Sequence, residues 1–153
     1  MNWLMQLEII GEVALAMLLG GIIGMERERA DKPAGFRTHM LVAGASALLV
    51  GLADALLYRY GGGGADGAVR SDPIRVVEAI ITGISFLGAG TIFRRGESRG
   101  VEGLTTAASL LLCGALGIAV ALRQFILAGG ITILALVVLW GLKSLERKAA
   151  DKN

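Results

Sequence analysis

The chain alternates between long apolar runs and short charged segments. Five runs stand out, at about residues 9–25, 38–57, 74–93, 104–122 and 124–142. Each is close to the ~20 residues that an α-helix needs to cross the hydrocarbon core of a bilayer. Their apolar residues are continuous rather than alternating, which argues against barrel strands, and in lipid only helices and closed barrels satisfy the backbone. The pattern predicts an all-α integral membrane protein with five transmembrane helices. The expected layout is a membrane domain over residues 1–142 and a short basic tail over 143–153.

The segments between the runs carry turn and cap signals. Tyr58 to Gly67 is rich in glycine and reads as a loop. It leads to Ser71-Asp72-Pro73, where Asp72 can cap the free N–H groups of the next helix and Pro73 fits the first turn. Lys32-Pro33-Ala34-Gly35 stops the first helix, and Thr38 is expected to cap the second.

Composition strengthens the membrane reading. Of the 153 residues 54% are hydrophobic, and the mean hydropathy is +0.66, too apolar for an ordinary soluble domain. The first run is expected to stay as a helix. Its leader, Met1 to Glu8, lacks Lys and Arg, and Gly24-Met25-Glu26-Arg27 is no small-x-small cleavage site. The lone cysteine, Cys113, falls inside a run and reads as a small buried hydrophobe.

The net charge of +2 matters less than the placement of charges, because Lys and Arg in short loops set orientation. Arg27, Arg29, Lys32 and Arg37, then Arg94, Arg95 and Arg99, then Lys143, Arg147, Lys148 and Lys152 all fall on one side of a five-span layout. Arg59, Arg70, Arg75 and Arg123 fall on the other. The expectation is an outer N-terminus and a cytoplasmic C-terminus. The basic tail reads as a topology anchor or a contact to anionic lipid. It has no aromatic platform for nucleic acid.

Two hairpins resemble each other. Gly20-Gly21-Ile22-Ile23-Gly24, a charged loop and Gly35-Phe36-Arg37-Thr38 parallel Gly88-Ala89-Gly90, a charged loop and Gly103-Leu104-Thr105-Thr106. They read either as a parallel repeat about an axis along the membrane normal or as convergence of common membrane motifs. Gly20 with Gly24, and Ala79 with Gly83, are small residues four apart and share a helix face, as close helix packing requires. Gly88 and Gly90 belong to the same set of packing candidates, and a bundle this small favours a homo-oligomer.

Candidate chemistry lies at the two ends of the runs. Glu12, Asp54 and Glu78 are carboxylates within or near spans, where a charge needs water, a partner or a cavity. They read as interfacial solvated residues or as an acidic outer vestibule able to attract a divalent cation, with Mg2+ the bound ion to consider. On the inner side Glu26, Arg27 and Glu28 close the first helix, and Arg37, Thr38 and His39 open the second. These form either a solvated surface or a buried polar cluster in which Glu26 and Arg37 pair across the loop. Arg94, Thr105 and Thr106 occupy corresponding places in the second hairpin. With one histidine and one cysteine a zinc site has no support, and no carboxylate dyad, nucleophile triad or phosphate loop is evident, so no enzymatic activity is expected.

The blocks Gly24-Met25-Glu26-Arg27-Glu28, Pro33-Ala34-Gly35-Phe36-Arg37-Thr38-His39, Gly83-Ile84-Ser85-Phe86-Leu87-Gly88-Ala89-Gly90 and Gly103-Leu104-Thr105-Thr106-Ala107-Ala108 resemble the signature blocks of the MgtC/SapB family of bacterial inner-membrane proteins. The resemblance spans roughly residues 20–120. It implies a five-span membrane domain. For some members it implies growth under magnesium limitation, survival of pathogens inside host cells and restraint of the ATP synthase by membrane contact. It does not by itself imply magnesium transport. Relatives often carry a soluble domain after the fifth span, and this chain, with its short basic tail, is expected to act without one. Glu78 stands where the family commonly has Gln. The expected function is regulation or assembly through helix contacts, with the bilayer, a second copy and an ATP synthase or transporter subunit as partners. A small cation carrier or channel is the alternative, and a structural subunit without a ligand is a third.

Overall fold

The structure, a computed structural model, describes residues 3–60, 72–94 and 101–150; of Tyr60, Arg94 and residues 142–150 it describes the backbone. Five helices account for almost all of this: α1 (Trp3–Arg29), α2 (Phe36–Tyr60), α3 (Pro73–Ala89), α4 (Leu104–Ala121) and α5 (Phe125–Ala150). α1, α2 and α4 are each long and apolar enough to cross a membrane. α3 has 17 residues, and α5 contains a shorter apolar stretch over Phe125–Gly141.

Helix boundaries follow local chemistry. α1 ends where Asp31 turns left-handed at φ 53°. Asp31 N–H then bonds the Glu28 carbonyl, and Lys32 N–H the Arg27 carbonyl, so the last carbonyls find donors. α3 begins as the sequence predicts, with Ile74 N–H donating to Asp72 Oδ1 at 3.0 Å and Pro73 in the first turn.

Several boundaries differ from expectation. Thr38 does not cap α2: the helix starts two residues earlier, and Glu28 accepts the Phe36 N–H at 2.8 Å. α2 runs on through Tyr58 and Arg59, and residues 61–67 of the expected glycine loop lie outside the described residues, as do Arg95 and Arg99. α3 stops at Ala89 rather than near residue 93, because a turn at Gly90 and Thr91 leads into a two-residue strand, Phe93–Arg94. That strand pairs antiparallel with Val101–Glu102. At the far end α5 continues unbroken past Leu142, so no element boundary marks the basic tail.

The bundle is apolar on its outside as well as in its core. Ile126 is 94% exposed and Phe86 84%, while the centre holds Ala16, Ala43, Ala47, Cys113 and Leu116 with essentially no exposure. Exposed apolar surface of this extent fits a lipid solvent. Association there depends on close van der Waals contact, which small residues permit. α1 and α2 form an antiparallel pair along their full length. A Cβ on Gly20 would lie 2.7 Å from the His39 carbonyl oxygen, and one on Gly24 would meet the Phe36 Cα at 2.8 Å. Further along, Gly44 faces Met17 and Gly51 faces Ile9. α4 runs beside α2 in the same direction, with Gly117 against Ala43 and Gly114 near Ser46.

The two hairpins thus have the same sense, but their packing is unequal. α1 lies against both α2 and α4, whereas α3 packs mainly on α4 and leaves a groove of about 1020 Å³ beside α2. Ala79 and Gly83 line that groove. A Cβ on Gly83 would meet nothing within 4 Å.

Candidate functional site

Two polar constellations occupy opposite ends of the bundle. The first is at the loop between α1 and α2. The tight approach permitted by Gly20 and Gly24 presses the first turns of α2 onto the last turns of α1, so side chains here become buried despite their polarity. Arg27 is 3% exposed and pairs with its neighbour Glu26 through both Nε and Nη2. The ion pair expected between Glu26 and Arg37 is not made, and Arg37 is exposed. The link from α1 to α2 runs instead from Glu28 to the Phe36 N–H. A charged acceptor on a free helix N–H is favourable both as a hydrogen bond and toward the helix dipole.

His39 lies at the centre of this end. It is fully buried, and its Nδ1 is 2.8 Å from the Gly35 carbonyl oxygen. Its Nε2 is 2.9 Å from Ser109 Oγ on α4, and Ser109 Oγ is also 2.8 Å from the Thr106 carbonyl oxygen. Thr106, also buried, has an Oγ1 with no hydrogen-bond partner among the described residues. Thr105 is exposed, Thr38 is half-buried, and only the backbone of Arg94 is described. The structure therefore brings Glu26, Arg27, Glu28, His39 and Thr106 to one end of the bundle, with Arg37 and Thr105 on its outside. Ser109 escaped the sequence reading. Its signal was the small-residue register Ser109, Cys113 and Gly117 at four-residue spacing on one face of α4.

The packing glycines divide. Gly20 and Gly24 sit against α2, and a Cβ on Gly88 would touch Ala107 at 3.3 Å. Gly90 caps α3 and approaches only carbonyls of its own helix end, and Gly83 faces the open groove. Among the helical glycines the tightest contacts belong instead to Gly114 and Gly117 of α4.

At the opposite end a cavity of about 390 Å³ lies among α1, α2, α3 and α4. Glu8, Glu12, Asp54 and Arg123 line it. Glu12 and Asp54 thus share one cavity, but Glu78 is not in its wall; it is exposed on α3. The carboxylates share this cavity with a cation. Arg123 Nη2 donates to Glu8 at 2.8 Å and Nε to Glu12 at 3.1 Å. The Glu8 hydrogen bond, then the charges of Glu8 and Glu12, hold the Arg123 guanidinium above its ordinary range. Arg123 reaches them from a left-handed backbone at φ 59° just after α4. No group of three or more metal-ligating His, Cys, Asp or Glu side chains occurs among the described residues.

Comparison with known proteins bears on this arrangement. Residues 13–148 match the model of the MgtC family. The chain belongs to the MgtC family. Its matched region includes α2, α3 and α4 whole and all the residues of the buried His39 end. The chain is similar to SrpB of Synechococcus elongatus, 40% identical over 88% of this chain and 75% of that protein. It is 34% identical to YhiD of Escherichia coli K12, named as a candidate magnesium transporter, over 97% of this chain and 67% of that protein. It is 41% identical to MgtC of Brucella abortus over 69% of this chain, which is 39% of that longer protein. No solved structure matches.

Proposed function

We propose that this MgtC-family chain is an inner-membrane protein that regulates or assembles with other membrane components through helix contacts, in a setting linked to magnesium or membrane-energy homeostasis. The link to magnesium rests on the family and on the name of YhiD. The proposed topology has five spans, an outer N-terminus and a cytoplasmic C-terminus. At 1.5 Å per residue a 17-residue α3 is about 26 Å long, near the thickness of the hydrocarbon layer. In this orientation the His39 end faces the cytoplasm and the Arg123 end faces outward.

One observation carries the choice of regulator over carrier. Between the two polar ends the bundle interior is closed by apolar and small side chains, Ala16, Ala43, Ala47, Leu110, Cys113 and Leu116, each at most 1% exposed. Among the described residues no carboxylate, histidine, lysine or arginine side chain lies in that layer, as a desolvated cation crossing it would require. The unfilled α2/α3 groove, with Gly83 open to a neighbour, supports a contact role. We assign it to a helix of a second copy.

Crosslinking in native membranes tests the assignment. Gly83→Leu has room to fold in the single chain, so it should retain expression and thermal stability while losing self-association. Unchanged crosslinking between copies of the folded variant would remove the groove from the proposal.

A further inference from the structure

His39 is the only histidine in the chain, it is completely buried, and the reading above assigns it no task. Its hydrogen-bond partners constrain its protons. The Gly35 carbonyl can only accept, so Nδ1 at 2.8 Å must carry a hydrogen. Nε2 faces the Ser109 hydroxyl at 2.9 Å, which can either donate or accept. Ser109 has a second place for its single proton, the Thr106 carbonyl oxygen at 2.8 Å.

Two complete arrangements follow. With a neutral ring, Nε2 is bare and Ser109 donates to it. With a charged ring, Nε2–H donates to Ser109 Oγ, and the hydroxyl turns to the Thr106 carbonyl. Both keep the link from α2 to α4, and neither leaves a ring nitrogen unpaired. A histidine held solely for packing is satisfied by a partner of fixed sense; an amphoteric hydroxyl with a spare acceptor behind it serves both protonation states.

We infer that the His39–Ser109 pair is a proton-binding site: His39 Nε2 takes up one proton, and the Ser109 hydroxyl reverses its hydrogen bond to accommodate it. No other bond is made or broken, and the junction gains one positive charge. Burial itself opposes the added charge most; of the charged groups that face the ring, both from α1, Arg27 opposes it and Glu26 favours it. Those two are paired with each other. Glu28 is engaged with the Phe36 N–H, and Arg37 of α2 is exposed. From α4 the facing groups are Thr106 and Ser109, with the Cys113 thiol one turn further on. Proton uptake therefore places a charge where α1, α2 and α4 meet, at a junction with little room to relax. The junction becomes responsive to pH on the side of the membrane it faces. This inference is independent of whether the chain regulates a partner or carries an ion.

A lone histidine makes the test direct. The full chain, labelled with 15N-histidine and held in lipid nanodiscs, is titrated by NMR from alkaline pH down to the most acidic pH at which it stays folded. The expected result is a neutral ring with its proton on Nδ1 at the alkaline end. On acidification both nitrogens become protonated while circular dichroism stays unchanged. Ser109→Ala removes a hydrogen bond from both forms, the stronger one from the charged form, and should lower the midpoint by about one pH unit, the difference between a charged and a neutral hydrogen bond. Ser109→Thr, which keeps the hydroxyl, should restore it. A proton resident on Nε2 in the neutral ring, or no titration in folded wild type, overturns the inference. So does a midpoint that the folded alanine variant leaves in place. Should neither variant fold, the wild-type titration decides alone.

Discussion

Gly117 of α4 stands so close to Ala43 of α2 that a methyl group added at Gly117 would lie 2.1 Å from the Ala43 carbonyl oxygen. The obstacle is backbone, so relief requires moving a helix rather than turning a side chain. Gly117→Ala should lower stability by about 3 kcal/mol, the upper end for overpacking. Gly129→Ala in α5, where a Cβ meets nothing within 4 Å, should be neutral or stabilising by up to about 1 kcal/mol. Reversible unfolding in mixed micelles measures both.

Thr106 offers the opposite case. Its Oγ1 is buried without a partner among the described residues, and an unsatisfied hydroxyl typically costs about 1–3 kcal/mol. Thr106→Val keeps the shape and removes the unpaired group. The variant should be at least as stable as wild type, by about 1 kcal/mol in thermal unfolding. A stability loss of that size would mean that the hydroxyl has a partner in the membrane-embedded protein.

Two helix ends place non-glycine residues in left-handed backbone, Asp31 at φ 53° and Arg123 at φ 59°. That conformation costs an L-residue about 1–2 kcal/mol, partly offset on replacement by the extra freedom of unfolded glycine. Asp31→Gly should therefore bring a net gain of up to about 1 kcal/mol. Arg123→Gly should gain less, because it also removes the only guanidinium that reaches Glu8 and Glu12 among the described residues. Combining it with Glu8→Gln and Glu12→Gln should recover the gain. A thermodynamic cycle over these variants checks the coupling; strict additivity would show that the ion pairs contribute nothing.

Much of this fold is legible in the chain because periodicity along one helix is a local property. Apolar runs locate the helices, Asp72-Pro73 marks a helix start, and the four-residue spacing of Gly20 and Gly24 marks a packed face. What depends on two helices at once is not legible. Glu26 and Glu28 are both near Arg37 along the loop, but they lie on different sides of α1. Helix phase gives Glu26 to Arg27 and Glu28 to the start of α2. His39 and Ser109 are 70 residues apart, and their meeting requires α2 and α4 to be neighbours. Arg123 looks like one more loop charge until the end of α4 is folded beside the start of α1. Gly83 shows the reverse: the small-residue spacing is present, and the single chain supplies no helix to fill it.

The most direct test of the central proposal is magnesium flux into liposomes carrying the purified, folded chain, with Glu12→Gln and Asp54→Asn as controls at the outer cavity. A contact-mediated regulator predicts flux no greater than that of empty liposomes for all three proteins. Saturable flux in wild type that either substitution abolishes would contradict it and establish a carrier.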